Sequence, residues 1–245
     1  AIMMTSGSRN GVFTVSNQLL SEYILEEQKE FIASIPAHAE QFQEGVRPVE
    51  HAVIHVRLNG YETATPIGKT AHELSMSLYV SVMSEYIATS ITKSILRCFH
   101  PRKTIQFHTF GLVMLHAVRQ LFPTTNDFLC IDFGTEITEI FLIKKGVLTD
   151  TVSVPFGKQS CVRAIARQLF VDEAVALSSI HLYLEHRMEL AIYKQISTIL
   201  EHTKEEWFTY LSITLDALEK KSTLPEKVYI TADADILPLI TEYGK

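Results

Sequence analysis

The segment 128-FLCIDFGTEITEIFLIKKGVLTDTVSVPFG-157 constrains the fold more than any other part of the chain. Residues 128–133 are apolar except for Asp132, as in a strand buried on both faces, and Gly134 follows at once. Two further apolar runs flank Lys144-Lys145-Gly146, which reads as a hairpin turn. The segment therefore predicts three strands with a tight turn through Asp132 and Gly134. Such a turn serves one of two purposes. It grips a phosphate, with glycine letting the backbone approach and threonine hydroxyls and successive N–H groups facing the anion, or it is only a corner in a sheet.

The N-terminal half is mixed. Ser16 precedes an apolar stripe at Leu19, Leu20, Tyr23, Ile24, Phe31, Ile32 and Ile35, predicting a capped helix over 17–34 and a loop from Pro36 to Pro48. Strand spacing marks 51–58, Asn59-Gly60 is a hairpin turn, and 61–68 reads as a second strand piece. The alternation Leu74, Met76, Leu78, Val80, Val82 predicts a third strand over 73–82, and 84–99 has helical spacing. After 104–110, a short strand or connector, comes a helix over 111–122.

Beyond residue 157 the spacing predicts helices over 160–169, 172–186, 187–202 and 204–220, a strand over 227–232 and a short helix from Pro238. Alternating strands and helices make this an α/β chain.

With 245 residues and 47% apolar side chains, the chain fits one large domain or two small ones of a soluble globular protein. The net charge of -6 is uneven: residues 1–126 hold ten basic and ten acidic side chains, residues 127–245 twelve and eighteen. No basic stripe exists to neutralise phosphates, which argues against a nucleic-acid partner. No apolar run reaches the roughly 18 residues of a membrane span, and 1-AIMMTSGSRN lacks the build of a secretory signal. Cys98, Cys130 and Cys161 are far apart, which favours free thiols. His51 and His55 are expected on one strand face, but two histidines without a third ligand do not make a metal site.

Taken with their order, 154-VPFGKQSCVRAIARQL-169 after the hairpin and 228-VYITADADILPLI-240 at the end resemble the FtsA and PilM family of bacterial actin-like proteins. Helix 17–34 followed by 53-VIHVRLNGYETATPIGKTAHELSMSLYVS-81 resembles the family's small strand-helix-strand-strand (SHS2) subdomain, and 60-GYETATPIGK-69 within it is similar to the family's Asp-Gly…Asn-Pro-Ile-Gly-Met stretch. The resemblance implies an actin-like ATPase core, of the ribonuclease H-like kind, with an SHS2-type subdomain and an incomplete first lobe. Its expected layout is a first-lobe remnant at 1–13, the SHS2-type subdomain at 14–100, a return into the first lobe at 101–125, and a second lobe at 126–245 with a shortened helical insert over about 171–224.

By position, the resemblance assigns Asp132, Gly134, Thr135 and Thr138 to the second phosphate turn, Gly157 to the segment after it, and Thr231, Ala232 and Asp233 to the nucleotide turn. The family's cofactor is ATP with magnesium, and the departures from its pattern bear on that. The first phosphate turn needs an early Asp, yet Asp127 is the first in this sequence. Glu136 stands where a small residue is expected, and a carboxylate facing a triphosphate is repulsive. Val175 and Ser178 replace a Glu and a Lys that contact adenosine, and Ala232-Asp233-Ala234 replaces three glycines. The expectation is no tightly held cofactor and no catalytic residue: a pseudo-ATPase.

The resemblance then implies a cytoplasmic scaffold, peripheral at the inner membrane through a partner, that binds the tail of a membrane protein or itself in pilus assembly or division. The expected surface is an edge strand of the SHS2-type subdomain, 51–58 or 73–82, able to accept an added strand. Two alternatives carry different chemistry: an active actin-like ATPase whose first phosphate turn lies upstream, and a sugar or acetate kinase relative. The kinase reading requires a catalytic Asp ahead of the second turn, and the sequence has none there.

Overall fold

The computed structural model describes residues 2–35, 45–99 and 105–243, with backbone alone for 2–10. Of the loop expected from Pro36 to Pro48, residues 36–44 lie outside these, as does residue 104, and residues 46–48 are strand instead of loop. The chain forms two compact units, Ala1–Ala117 and Val118–Lys245.

The first unit is built on a four-stranded sheet in the order β1-β4-β2-β3, from β1 (Ile2–Thr14), β2 (Val46–Leu58), β3 (Tyr61–Glu62) and β4 (Thr70–Ser84). Its strands are antiparallel. Leu74, Met76, Leu78, Val80 and Val82 are buried in one core with Tyr23 and Phe31 of α1 (Asn17–Ser34). The helix starts where expected because the Ser16 hydroxyl accepts the Leu19 N–H at 3.1 Å. Asn59 (φ 53°) and Gly60 (φ 81°) both adopt the left-handed conformation that a two-residue hairpin turn requires. The Asn59 side-chain oxygen also accepts the His72 and Glu73 amides at 2.8 and 3.1 Å, which ties this turn to β4.

This unit differs from the sequence expectation in four features. Of 61–68 only Tyr61–Glu62 is strand, and the turn before β4 takes the rest. Residues 2–14, for which no strand was expected, pair along β4 as an edge strand of this same sheet. β4 itself is hydrogen-bonded on both sides, so 73–82 has no edge to offer a partner strand. His51 and His55 are also parted. A register shift between Val53 and His55 sets His51 opposite Val80 and His55 opposite Ser77, and an odd offset on β4 means opposite faces.

Helix α2 (Glu85–Cys98) follows, and residues 105–109 run without strand into α3 (Phe110–Leu121). Glu50 holds that connector by accepting the Thr109 amide at 2.5 Å, the Thr109 hydroxyl, and a bond to His108 at 3.0 Å.

The second unit carries the three expected strands β5 (Phe128–Phe133), β6 (Thr138–Lys144) and β7 (Val147–Val154), with β6 and β7 joined at the left-handed pair Lys145-Gly146. β8 (Val228–Ala232) lies parallel to β5, giving the order β7-β6-β5-β8. Leu129, Ile131, Phe133, Ile140 and Leu142 face α4 (Lys158–Leu169), α6 (Leu190–Glu219) and α7 (Leu237–Tyr243) in one buried core. α4 also packs against α5 (Glu173–Leu184). The helices expected at 187–202 and 204–220 are one 30-residue helix. No Pro or Gly interrupts the run, and the Thr203 hydroxyl bonds back to the Leu200 carbonyl at 2.8 Å instead of breaking it. All three cysteines are free thiols, and among the described residues no helix is long and apolar enough to cross a membrane.

Candidate functional site

In open α/β sheets, ligands bind beyond the carboxyl ends of the strands. Here β5 and β8 end side by side, with Asp132 opposite Thr231 and Phe133 opposite Ala232. The Thr231 hydroxyl donates to the Asp132 carboxylate at 2.7 Å. Burial still pushes the Asp132 carboxyl above its usual range, helped by the charge on Asp233 and opposed by the Thr231 bond. Glu139, opposite Asp132 on β6, is raised by burial and then by Asp132 itself.

The turn after β5 closes on itself. The Gly134 amide donates to the Ile137 carbonyl at 3.0 Å, and a Cβ on Gly134 would lie 2.8 Å from that oxygen. The opening amides of α4 are then given to the same turn: Lys158 N–H donates to the Gly134 carbonyl at 3.0 Å and Gln159 N–H to the Thr135 carbonyl at 2.8 Å. A helix N-terminus is a natural anion site because its first N–H groups have no partner within the helix. In this chain two of those groups are already taken. Gly157 makes the approach possible, since a Cβ there would sit 2.6 and 2.7 Å from the Gly134 and Thr135 oxygens.

Thr138 points away from this turn. It is fully buried, its hydroxyl donates to the Phe156 carbonyl at 2.7 Å and accepts the Trp207 indole N–H at 3.0 Å. Its expected place among ligand-contacting residues is therefore replaced by a packing role between β6 and α6.

The turn after β8 is occupied by charge. The Lys158 ammonium reaches Asp233 at 2.9 Å and Asp235 at 3.2 Å, and the His181 imidazole lies 3.3 Å from Asp235. The bond to Asp233 raises the Lys158 pKa further. Burial acts to raise Asp235, but hydrogen bonds from Lys158 and His181 outweigh it and hold the carboxyl below its usual range. Glu136, the carboxylate in the first turn, pairs with Arg163 of α4 at 3.0 Å.

Asp132, Gly134, Thr135, Gly157, Thr231 and Asp233 thus gather around the ends of β5 and β8 and the start of α4, with Ala232 ending β8. Sequence reasoning missed Lys158, Asp235 and His181. Lys158 stands directly after Gly157 and is legible as a helix-start lysine, whereas its carboxylate partners lie 75 and 77 residues away. The site presents carboxylates from Asp132, Glu136, Glu139, Asp233 and Asp235, with the Lys158 ammonium and the Arg163 guanidinium among them. Among the described residues no group of three His, Cys, Asp or Glu side chains is arranged to hold a metal ion.

The chain is a mixed α/β protein with an actin-like fold, as its likeness to solved structures shows. The chain is similar to a solved PilM-PilN type IV pilus biogenesis complex (TM-score 0.61, 15% identity, 99% of this chain covered). It spans 64% of the length of the chain it matches there. Weaker matches are the ethanolamine utilization protein EutJ from Carboxydothermus hydrogenoformans (TM-score 0.37, 23% identity, 53% of this chain and 43% of that one) and component A of the Acidaminococcus fermentans (R)-2-hydroxyglutaryl-CoA dehydratase (TM-score 0.36, 10% identity, 57% and 59%). No protein-family model and no curated protein matches the sequence.

Proposed function

We propose that this chain is an actin-like scaffold of the PilM type, acting in pilus biogenesis as a pseudo-ATPase that binds a membrane-protein tail or itself. The observation that carries the reading is the self-closed turn: the α4 amides that a nucleotide phosphate would use are donated to Gly134 and Thr135, and Lys158 is held between Asp233 and Asp235. The likeness to the PilM-PilN complex supports the choice of pilus assembly over cell division. The first unit, with its helix laid on an antiparallel sheet, takes the role of the SHS2-type subdomain. An accessible edge is the outer side of β2, where β3 pairs only with Arg57 and Leu58 and the Thr63 amide donates to the Val56 carbonyl, leaving 46–55 open for strand addition among the described residues. Such a protein works in the cytoplasm at the inner face of the membrane, held there by its partner.

Two titrations test this. Magnesium ATP is titrated calorimetrically into the protein, and the cytoplasmic tail segment of the PilN-type protein from the same genome is titrated separately. No heat with millimolar ATP together with saturable binding of the segment is the expected result. Micromolar ATP binding would refute the pseudo-ATPase and favour the active ATPase, and failure of the segment to bind would refute the PilM-type role.

A further inference from the structure

Along α6, Phe208, Leu211, Ser212, Leu215 and Asp216 recur at steps of three and four and so share one face, apolar at its start and polar at its end. This face lines a cavity of about 390 Å³ bounded also by β5, β8 and α7. Ile131, Trp207, Leu211 and Ile240 are its buried walls, while Phe208 and Ile230, 41% and 42% exposed, open it to solvent. The walls are fixed before anything enters. Trp207 donates its indole N–H to Thr138 at 3.0 Å and meets the Phe133 ring edge-on at 5.1 Å, which holds its ring in one orientation. A preformed apolar cavity of this size with a few polar groups in its lining has the build of a small-molecule site.

The polar groups of the lining are the Ser212 hydroxyl and the Asp216 carboxylate, one turn apart. Among the described residues neither side chain makes a hydrogen bond or an ion pair. Asp216 also lies in the last turn of α6, which holds Glu219 and no basic residue. The carbonyls at a helix C-terminus give it a partial negative charge, which favours a cation there and disfavours a carboxylate. Of the two lysines that follow, Lys221 reaches Asp150 at 3.6 Å, and Lys220 makes no ion pair among the described residues. An unpartnered carboxylate on the negative end of a helix therefore stands beside an apolar cavity, and both are complementary to one molecule that is apolar along its body and cationic at one end.

We infer that the cavity between α6, α7, β5 and β8 binds a small hydrophobic amine, its apolar body against Trp207, Leu211 and Ile240 and its ammonium at Asp216, with the Ser212 hydroxyl as a second acceptor. From Phe208 to Asp216 the helix advances roughly 12 Å at about 1.5 Å per residue, room for a ring carrying a short alkyl amine. A neutral ligand of the same body leaves the carboxylate unused, and an anion meets both its charge and the helix end. None of these residues belongs to the turns at the ends of β5 and β8, so the inference is independent of nucleotide binding and of the pilus role.

Trp207 is the single tryptophan and lines the cavity, so its fluorescence reads occupancy. The full chain is titrated with phenylbutylamine, phenylbutanol and phenylbutanoate, which share one apolar body and carry a cationic, a neutral and an anionic head. The amine should give a saturable change and bind about tenfold or more tighter than the carboxylate, with the alcohol between them. Asp216→Asn should weaken the amine about fivefold and leave the alcohol unchanged, which shows that the cavity itself survives the substitution. Ser212→Phe, which fills the cavity from α6, should abolish the response to all three while urea unfolding stays cooperative. No saturable response to the amine at millimolar concentration, equal binding of amine and carboxylate, an amine affinity indifferent to Asp216→Asn, or binding that survives Ser212→Phe overturns the inference.

Discussion

Gly157→Ala is the substitution that separates a corner from a phosphate turn. The added Cβ would lie 2.6 and 2.7 Å from the Gly134 and Thr135 carbonyl oxygens, where ordinary contact begins at 3.4 Å. Both obstacles are backbone, and neither can rotate away. Relief requires α4 and the turn to separate by roughly 0.8 Å, which takes the Lys158 and Gln159 hydrogen bonds, at 3.0 and 2.8 Å, beyond useful length. Two backbone bonds at about 1 kcal/mol each, with overpacking of about 1–3 kcal/mol, give a loss of about 3–5 kcal/mol. The lower unfolded-state entropy of alanine returns less than about 1 kcal/mol of this. Urea unfolding followed by the fluorescence of Trp207, the single tryptophan and part of the same core, measures the change. A shift below about 0.5 kcal/mol, within the range of neutral surface changes, would show that the turn and helix are not locked together. The closed-corner account would then be wrong.

Thr138→Val keeps the side-chain shape but strands the Trp207 N–H and the Phe156 carbonyl in the core, so it should cost about 2–4 kcal/mol in the same urea assay while leaving any ATP titration unchanged. Lys158→Met leaves Asp233 and Asp235 facing each other, and pH titration followed by NMR should show the Asp235 carboxyl moving up from its lowered position. The sign of the pH dependence follows from these shifts. Asp235, lowered on folding, contributes stability above its unfolded pKa and loses it as pH falls through its folded value; Lys158, raised on folding, contributes below its unfolded pKa and loses it as pH rises through its folded value. In the first unit, burial acts to raise Glu50, but the bonds from Thr109 and His108 outweigh it and lower its pKa, so its contribution likewise disappears in acid. Glu50→Ala should cost about 1.5–3 kcal/mol at neutral pH and little below the carboxylate range, read by thermal unfolding at each pH.

Most elements are legible from local patterns of residues. Ser16 announces α1 because a cap is a contact between neighbours in sequence, and Asn59-Gly60 and Lys145-Gly146 announce hairpins because few residues accept the left-handed conformation. The break expected within α6 fails for the converse reason. A threonine mid-helix weakens propensity, while tertiary burial of Thr203, Trp207 and Leu211 on one face holds the helix through it. Strand neighbours are not legible in this way, since alternation along 73–82 marks a half-buried strand equally well at an edge or in the interior.

At the site, the chemistry on offer is already written in the residues: a glycine after Asp132, a glycine before α4, and acids where glycines were expected near 233. Glycine and carboxylate carry their constraint in their own covalent structure, so that much needs no fold. How the groups are used depends on the packing of the chain. It turned Thr138 into the core, spent the α4 amides on the Gly134 turn and set Lys158 between two aspartates more than seventy residues away. Hydrogen bonds and ion pairs depend on position within a few tenths of an ångström, and sequence spacing says nothing about the distance between the ends of β5 and β8 until the sheet brings them side by side.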